Sequence, residues 1–177
     1  MDFKKLTQSK PVKPPADPYQ VFTHGRRFMA AEEYLRRKGP DEEQELLRVG
    51  WIALPSNVLS AFASELFLKS LLILDGNPSL DVHNLGTLYK RLHNKKKDRL
   101  SAIWDETKEE RERYLPSVET TTGAKLPRDL RGALKECGDA FTMIRYHYED
   151  PSRSKFYLSE LPRILHRYIL EIKPEWE

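Results

Sequence analysis

The feature that most constrains this chain is an apolar run, residues 56–74, which contains only two charged side chains, Glu65 and Lys69. A helix that is apolar on nearly all sides must be buried, in a protein core or in a membrane. No segment reaches the roughly 18–20 consecutive apolar residues of a membrane span. We therefore expect a central core helix, closed by the turn sequence DGNP at 75–78, and no membrane association.

The two charges lie four residues apart, and this spacing places them on one helix face. They are the only charges between Val58 and Leu74. Two interpretations remain open: a solvated ion pair on the wet edge of a core helix, or a pair of charges held near the core. A buried charge without a partner costs several kcal/mol, so the second interpretation requires pairing.

The rest of the chain also has helical patterns, and no alternating strand pattern of any length occurs. We predict an all-α fold, an up-and-down helical bundle of about five to seven helices. The first 18 residues form a flexible leader rich in Pro and Lys, and 19–177 form a single domain. The predicted helices are 21–39, 41–54, 56–74, 83–93, 97–115, 130–148 and 155–172, with a kink at Pro162 and a polar loop at 116–127.

Composition excludes several classes of protein. A single cysteine, Cys137, excludes an internal disulfide and favours a reducing, cytoplasmic setting. No spacing of His and acidic residues is typical of a zinc or di-iron centre, so we expect no metal and no cofactor. The formal net charge of +3 is too small to indicate nucleic-acid binding by itself.

Charge is uneven along the chain. The segment 90–99 contains six basic residues and one acid, whereas 105–112 is mostly acidic. Such runs form either solvated helix faces or, for the basic one, a patch that faces phosphate groups. The candidate basic patch consists of Lys90, Arg91, Lys95, Lys96, Lys97 and Arg99.

Three further residues are candidates for a site. Arg145 flanks a buried stripe in FTMIRYHYED (141–150), and an arginine there binds a carboxylate or a phosphate, or else cements the bundle. We expect Glu65 to be its carboxylate if the two helices pack together. His83 opens a helix after Asp81, a possible cap, and is either structural or a general base; His147 is the other candidate base.

The segments SELFLKSLLILDGNPSLDVHNLGTLYKRL (64–92) and FTMIRYHYE (141–149) resemble the HEPN superfamily of all-helical nucleotide- and RNA-associated domains. The resemblance rests on a Glu-x-x-x-Lys step in a long apolar helix, a glycine, a His-Asn-Leu opening the next helix and a later Arg-Tyr. It covers about residues 56–95 and 128–172.

The resemblance implies a helical bundle, frequently homodimeric, with a polar site between two long central helices. That site would gather Glu65, Lys69, His83 and Arg145, with Arg145 and Lys69 holding phosphate. The ribonuclease members carry an Arg followed four to six residues later by a catalytic His, and no histidine here has that partner. The expected function is therefore binding of RNA or a nucleotide without catalysis.

Two alternatives stay open. The first is a metal-independent ribonuclease of a toxin–antitoxin or phage-defence system, with His83 or His147 as its base. The second is a structural protein-interaction module whose partner is encoded nearby, in which the polar residues form an internal ion-pair network.

Overall fold

A computed structural model of the protein describes residues 16–37, 45–77, 81–146 and 156–177, with side chains except at 45–51, 121–122 and 145. These residues form an all-α helical bundle, which confirms the predicted fold class. The helices are α1 (Pro18–Arg37), α2 (Glu45–Leu74), α3 (Leu85–Arg91), α4 (Asn94–Glu106), α5 (Lys108–Thr122), α6 (Leu130–Glu136), α7 (Ala140–Arg145) and α8 (Leu161–Ile172), followed by a 3₁₀ turn, Pro174–Trp176.

The apolar helix α2 lies at the centre of the bundle and packs against α1, α3, α7 and α8. Its central side chains, Phe67, Leu68, Leu71 and Leu72, are fully buried. Residues Ile52–Leu74 are long and apolar enough to cross a membrane by length and composition, and 61% of an 18-residue window within them is buried inside the protein. Burial in the bundle therefore explains the apolar composition of the segment.

Two prolines do not interrupt the chain where the sequence predicted a break. Helix α2 runs through Pro55, so residues 45–54 of the separate helix predicted at 41–54 are its first part, and 41–44 lie outside the described residues. Helix α5 runs through Pro116 to Thr122, so the predicted loop at 116–127 is wrong in its first half. Both prolines lie on exposed helix faces. Exposure reduces the cost of a proline because water can bond the carbonyl that it leaves without a donor.

Three predicted helices have different boundaries. The helix predicted at 97–115 breaks at Thr107, whose hydroxyl donates to the Trp104 carbonyl at 3.0 Å and competes with the helical pattern. The helix predicted at 130–148 ends at Glu136 and restarts at Ala140, and its last two residues lie outside the described ones. Helix α8 begins at Leu161, so Pro162 lies in its first turn, where proline fits, and causes no kink.

Candidate functional site

Glu65 and Lys69 form a buried ion pair on α2. The Lys69 Nζ donates to Oε1 of Glu65 at 2.7 Å. Glu65 is 1% exposed and Lys69 is 7% exposed. The interpretation as a solvated edge pair is therefore wrong, and each charge is stabilised by the other in a setting where an unpaired charge costs several kcal/mol.

His83, in the segment that precedes α3, contacts the carboxylate of this pair. Its Nδ1 lies 2.9 Å from the same Glu65 Oε1, and its ring is 60% exposed. Because Oε1 also accepts from an ammonium group, it is a carboxylate oxygen, and Nδ1 of His83 must be the donor. This assignment leaves Nε2 of the neutral ring as an acceptor.

The second oxygen of Glu65 has no partner among the described side chains, which do not include that of Arg145. Oε2 is shielded from solvent and accepts no hydrogen bond from the residues that the structure describes. A buried acceptor without a donor costs about 1–3 kcal/mol, and more when it is charged. A donor to Oε2 would therefore stabilise this carboxylate.

The segment that carries His83 is held in place by the junction between α6 and α7. Asn84, not Asp81, caps α3: its Oδ1 accepts from Thr87 N at 2.8 Å. Its Nδ2 donates to Asp139 Oδ1 at 2.9 Å, and Leu85 N donates to the carbonyl of Gly138 at 2.9 Å. These bonds fix the backbone on the C-terminal side of His83, so the imidazole is presented in a defined position.

Three phenylalanine rings form a row that begins beside His83. The ring of Phe141 on α7 stacks towards His83 with 6.5 Å between centroids. Phe62 stacks on Phe141 at 4.8 Å, and Phe28 meets Phe62 edge-on at 4.5 Å. These phenylalanines are only half-buried. Sequence reasoning missed the row because their helical spacing is the same as that of ordinary core residues.

The structure describes the backbone of Arg145 but not its side chain. Helix α7, which ends at Arg145, packs against α2, which is the condition set for a contact between Arg145 and Glu65. It is six residues long, so the expected site between two long helices is instead formed by α2, the segment before α3 and the short α7. The Arg145 side chain and His147 lie outside the described residues.

Two members of the candidate basic patch, Lys96 and Arg99, make structural contacts. Lys96 donates to Asp75 Oδ1 at 2.8 Å and to the Leu71 carbonyl at 3.2 Å, so it caps the C-terminal end of α2. Arg99 makes a bidentate contact with Glu171 at 2.8 and 2.6 Å. Those two cations have structural partners. Three others, Lys90, Arg91 and Lys95, are exposed, and Lys97 is half-buried with its Nζ 3.5 Å from the Lys90 carbonyl.

A second buried polar cluster, which was not predicted from the sequence, lies between α5 and the start of α8. The Arg111 guanidinium lies 3.7 Å from the centroid of the Trp104 ring and donates to the Trp104 carbonyl at 2.6 Å. Glu160 Oε1 is 3.7 Å from Arg111, and Tyr114 donates to Glu160 Oε2 at 2.8 Å. Burial lowers the pKa of Arg111 and raises the pKa of Tyr114. The cluster connects helices of the core.

Comparison with known proteins adds no assignment: no family model, no curated protein and no solved structure matches this chain.

Proposed function

We propose that this protein is a HEPN-like helical domain that binds RNA or a nucleotide at the site formed by Glu65, Lys69 and His83, without catalysis. The observation that carries the proposal is the buried Glu65 carboxylate, which holds the exposed imidazole of His83 at 2.9 Å. An internal ion-pair network would not require an exposed member, whereas a binding site does. The ligand class, RNA or a nucleotide, is inferred from the resemblance to HEPN domains.

The site has the chemistry that a nucleobase needs. Bases of single-stranded RNA bind by stacking on aromatic or imidazole rings and by hydrogen bonds along their edges. His83 offers an exposed ring with an acceptor nitrogen, and the half-buried Phe141 continues the stack. In this proposal Lys69 neutralises Glu65, because its ammonium is buried against that carboxylate.

The test is fluorescence anisotropy with a labelled single-stranded oligoribonucleotide at low and raised salt. His83→Ala and Phe141→Leu should each weaken binding about tenfold, since one base–ring stack contributes about 1–3 kcal/mol. His24→Ala is the matched control because His24 is an exposed histidine on α1. Binding by the wild type that none of these variants changes contradicts the assignment of the site.

One observation favours the metal-independent ribonuclease as a second candidate. A histidine whose Nδ1–H is held by a carboxylate presents Nε2 as a base, as in the triads of hydrolases. Glu65 and His83 have that arrangement. Under this alternative, wild-type protein cleaves bulk tRNA in EDTA on a denaturing gel, His83→Ala and Glu65→Gln are inactive, and His24→Ala is active. Intact tRNA with the wild type excludes the alternative for this substrate.

Homodimer formation is also part of the proposal, through the resemblance alone. Sedimentation equilibrium of the full chain, at concentrations on both sides of the oligonucleotide dissociation constant, tests it independently of binding. A single species at the monomer mass of 20.7 kDa across that range contradicts it.

A further inference from the structure

A groove lies between α3 and α6, next to the site at His83. The two short helices approach closely at Gly86, where an added Cβ would lie 2.9 Å from the Leu134 carbonyl oxygen. Beside this contact are two adjoining cavities of about 190 and 390 Å³. Both cavities are lined by the same three cationic residues, Lys90, Arg131 and Lys135.

These three cations differ from the basic residues nearby. Arg99 and Lys96 are paired with carboxylates, whereas Lys90, Arg131 and Lys135 make no salt bridge to any residue in the described ranges. Arg131 and Lys135 are one helical turn apart on α6, and Lys90 comes from α3. Like charges collected at one groove repel each other, so an anion that enters the groove lowers the energy of all three.

One carboxylate, that of Asp129, also lines the groove. Asp129 lines the larger cavity, and its Oδ1 accepts from Gly132 N at 2.8 Å as the cap of α6. The groove therefore has three positive groups and one negative group. Asn84 and Thr87 add neutral polar atoms to its lining.

The groove adjoins the proposed base-binding site through the backbone. Asn84 lines the smaller cavity and directly follows His83. The base-binding site and the groove are therefore formed by neighbouring residues of the chain.

We infer that the groove between α3 and α6 binds the backbone phosphates of the RNA whose base occupies the site at His83. This inference rests on the proposed function and adds to it the residues that contact phosphate: Lys90, Arg131 and Lys135. Of these, only Lys90 belongs to the basic patch identified from the sequence.

The experiment measures oligouridylate binding by fluorescence anisotropy as a function of salt. The double variant Arg131→Gln/Lys135→Gln is compared with Lys108→Gln/Lys125→Gln, which removes two exposed lysines elsewhere and the same net charge. Each phosphate contact on a single strand contributes about 0.7 to the slope of log K against log salt. The groove variant should lower that slope by about 1.4 and weaken binding about 25-fold at 0.1 M salt, and the control variant should change neither.

The possible outcomes separate this inference from the proposed function. If RNA binding depends on His83 but the groove variant behaves like its control, the groove inference is overturned and the proposed function is retained. If the wild type binds no RNA, both are overturned. A parallel titration with uridine monophosphate identifies the source of the phosphate: weak binding that is the same in both double variants supports a polynucleotide, and tight binding lost only in the groove variant overturns RNA in favour of a free nucleotide.

Discussion

His83 Nδ1 lies 2.9 Å from Oε1 of Glu65, although 18 residues separate them in the chain. One residue is buried in the central helix and the other is exposed on the segment before α3. Through this contact the central apolar helix contributes to a surface site, because a carboxylate in the core is bonded to a ring at the surface.

Lys69→Met should lower the free energy of unfolding by about 3–5 kcal/mol, because it leaves the charge of Glu65 buried without its cation. Urea denaturation measures the change. Arg37→Met removes a cation from a pair of the same spacing, with Glu33, that is much more exposed, and it should cost less than about 1 kcal/mol.

The double variant Glu65→Gln/Lys69→Met should recover part of that loss, because it leaves no buried charge. A Lys69→Met protein as stable as the Arg37→Met control would show that Glu65 does not need its cation.

Gly138→Ala should displace the segment that carries His83. An added Cβ would lie 2.6 Å from Asn84 Nδ2, too close for any side-chain contact. Because Asn84 caps α3, we expect a loss of about 1 kcal/mol of stability, typical of a lost cap, and a change in the His83 ring resonances in NMR spectra.

The control is a double-mutant cycle with Asn84→Ala, which removes the atoms that clash. The cost of Gly138→Ala should be smaller in that background than in the wild type. Equal costs in both backgrounds would contradict the clash.

Cys137 should be unreactive in the folded protein. Burial raises the pKa of its thiol to about 12 from an ordinary value of 9.0. At pH 8 the thiolate fraction is then roughly a thousandfold smaller than that of an unshifted thiol, and alkylation by iodoacetamide slows accordingly, in addition to the effect of restricted access. Mass spectrometry of the protein with and without denaturant measures both rates, and equal rates would contradict the prediction.

The same shift makes stability depend on pH. The unfolded chain loses the thiol proton above about pH 9 and the folded chain does not, so the contribution is complete below pH 9 and is lost as pH rises towards 12. Burial raises the pKa values of Tyr114, Tyr157 and Tyr168 in the same direction. Cys137→Ala should therefore reduce the fall in stability between pH 8 and pH 11 without abolishing it, as measured by chemical denaturation at each pH.

Arg111→Lys should destabilise the protein although it keeps the charge. The guanidinium stacks on Trp104 and donates to the Trp104 carbonyl and to the Thr107 hydroxyl, each at 2.6 Å. An ammonium group is not planar and cannot stack while it makes both bonds. We expect a loss of about 2 kcal/mol, from one charged hydrogen bond and the stacking contact.

The control for this prediction is Arg113→Lys, two residues further along α5 and exposed. Its cost should be within about 0.5 kcal/mol of zero, as for most surface substitutions. Equal costs for the two variants, measured by thermal denaturation, would contradict the stacking account.

Much of the fold was predictable because apolar side chains recur with helical spacing. The steps of three and four residues between Leu130, Leu134, Cys137, Phe141 and Ile144 predict one buried stripe; all are buried except Phe141, which is half-buried. The break within that stripe was not predictable from spacing. It depends on Gly138, whose carbonyl accepts from Leu85 N, a residue more than fifty positions earlier.

The site was predictable in part. The Glu65–Lys69 spacing predicted their ion pair, and the resemblance placed His83 with them. The row of phenylalanines and the convergence of Lys90 with Arg131 and Lys135 could not be predicted, because each connects helices whose packing is not encoded in local spacing.

By itself the sequence determined the all-α class, the central apolar helix and the pairing of its two charges, because helical periodicity and the four-residue step are local properties of the chain. Only the tertiary structure decided that the pair is buried, that His83 contacts it, and that three cations share one groove. Those facts depend on which helices pack together, and that packing results from the burial of all apolar faces at once rather than from any one segment.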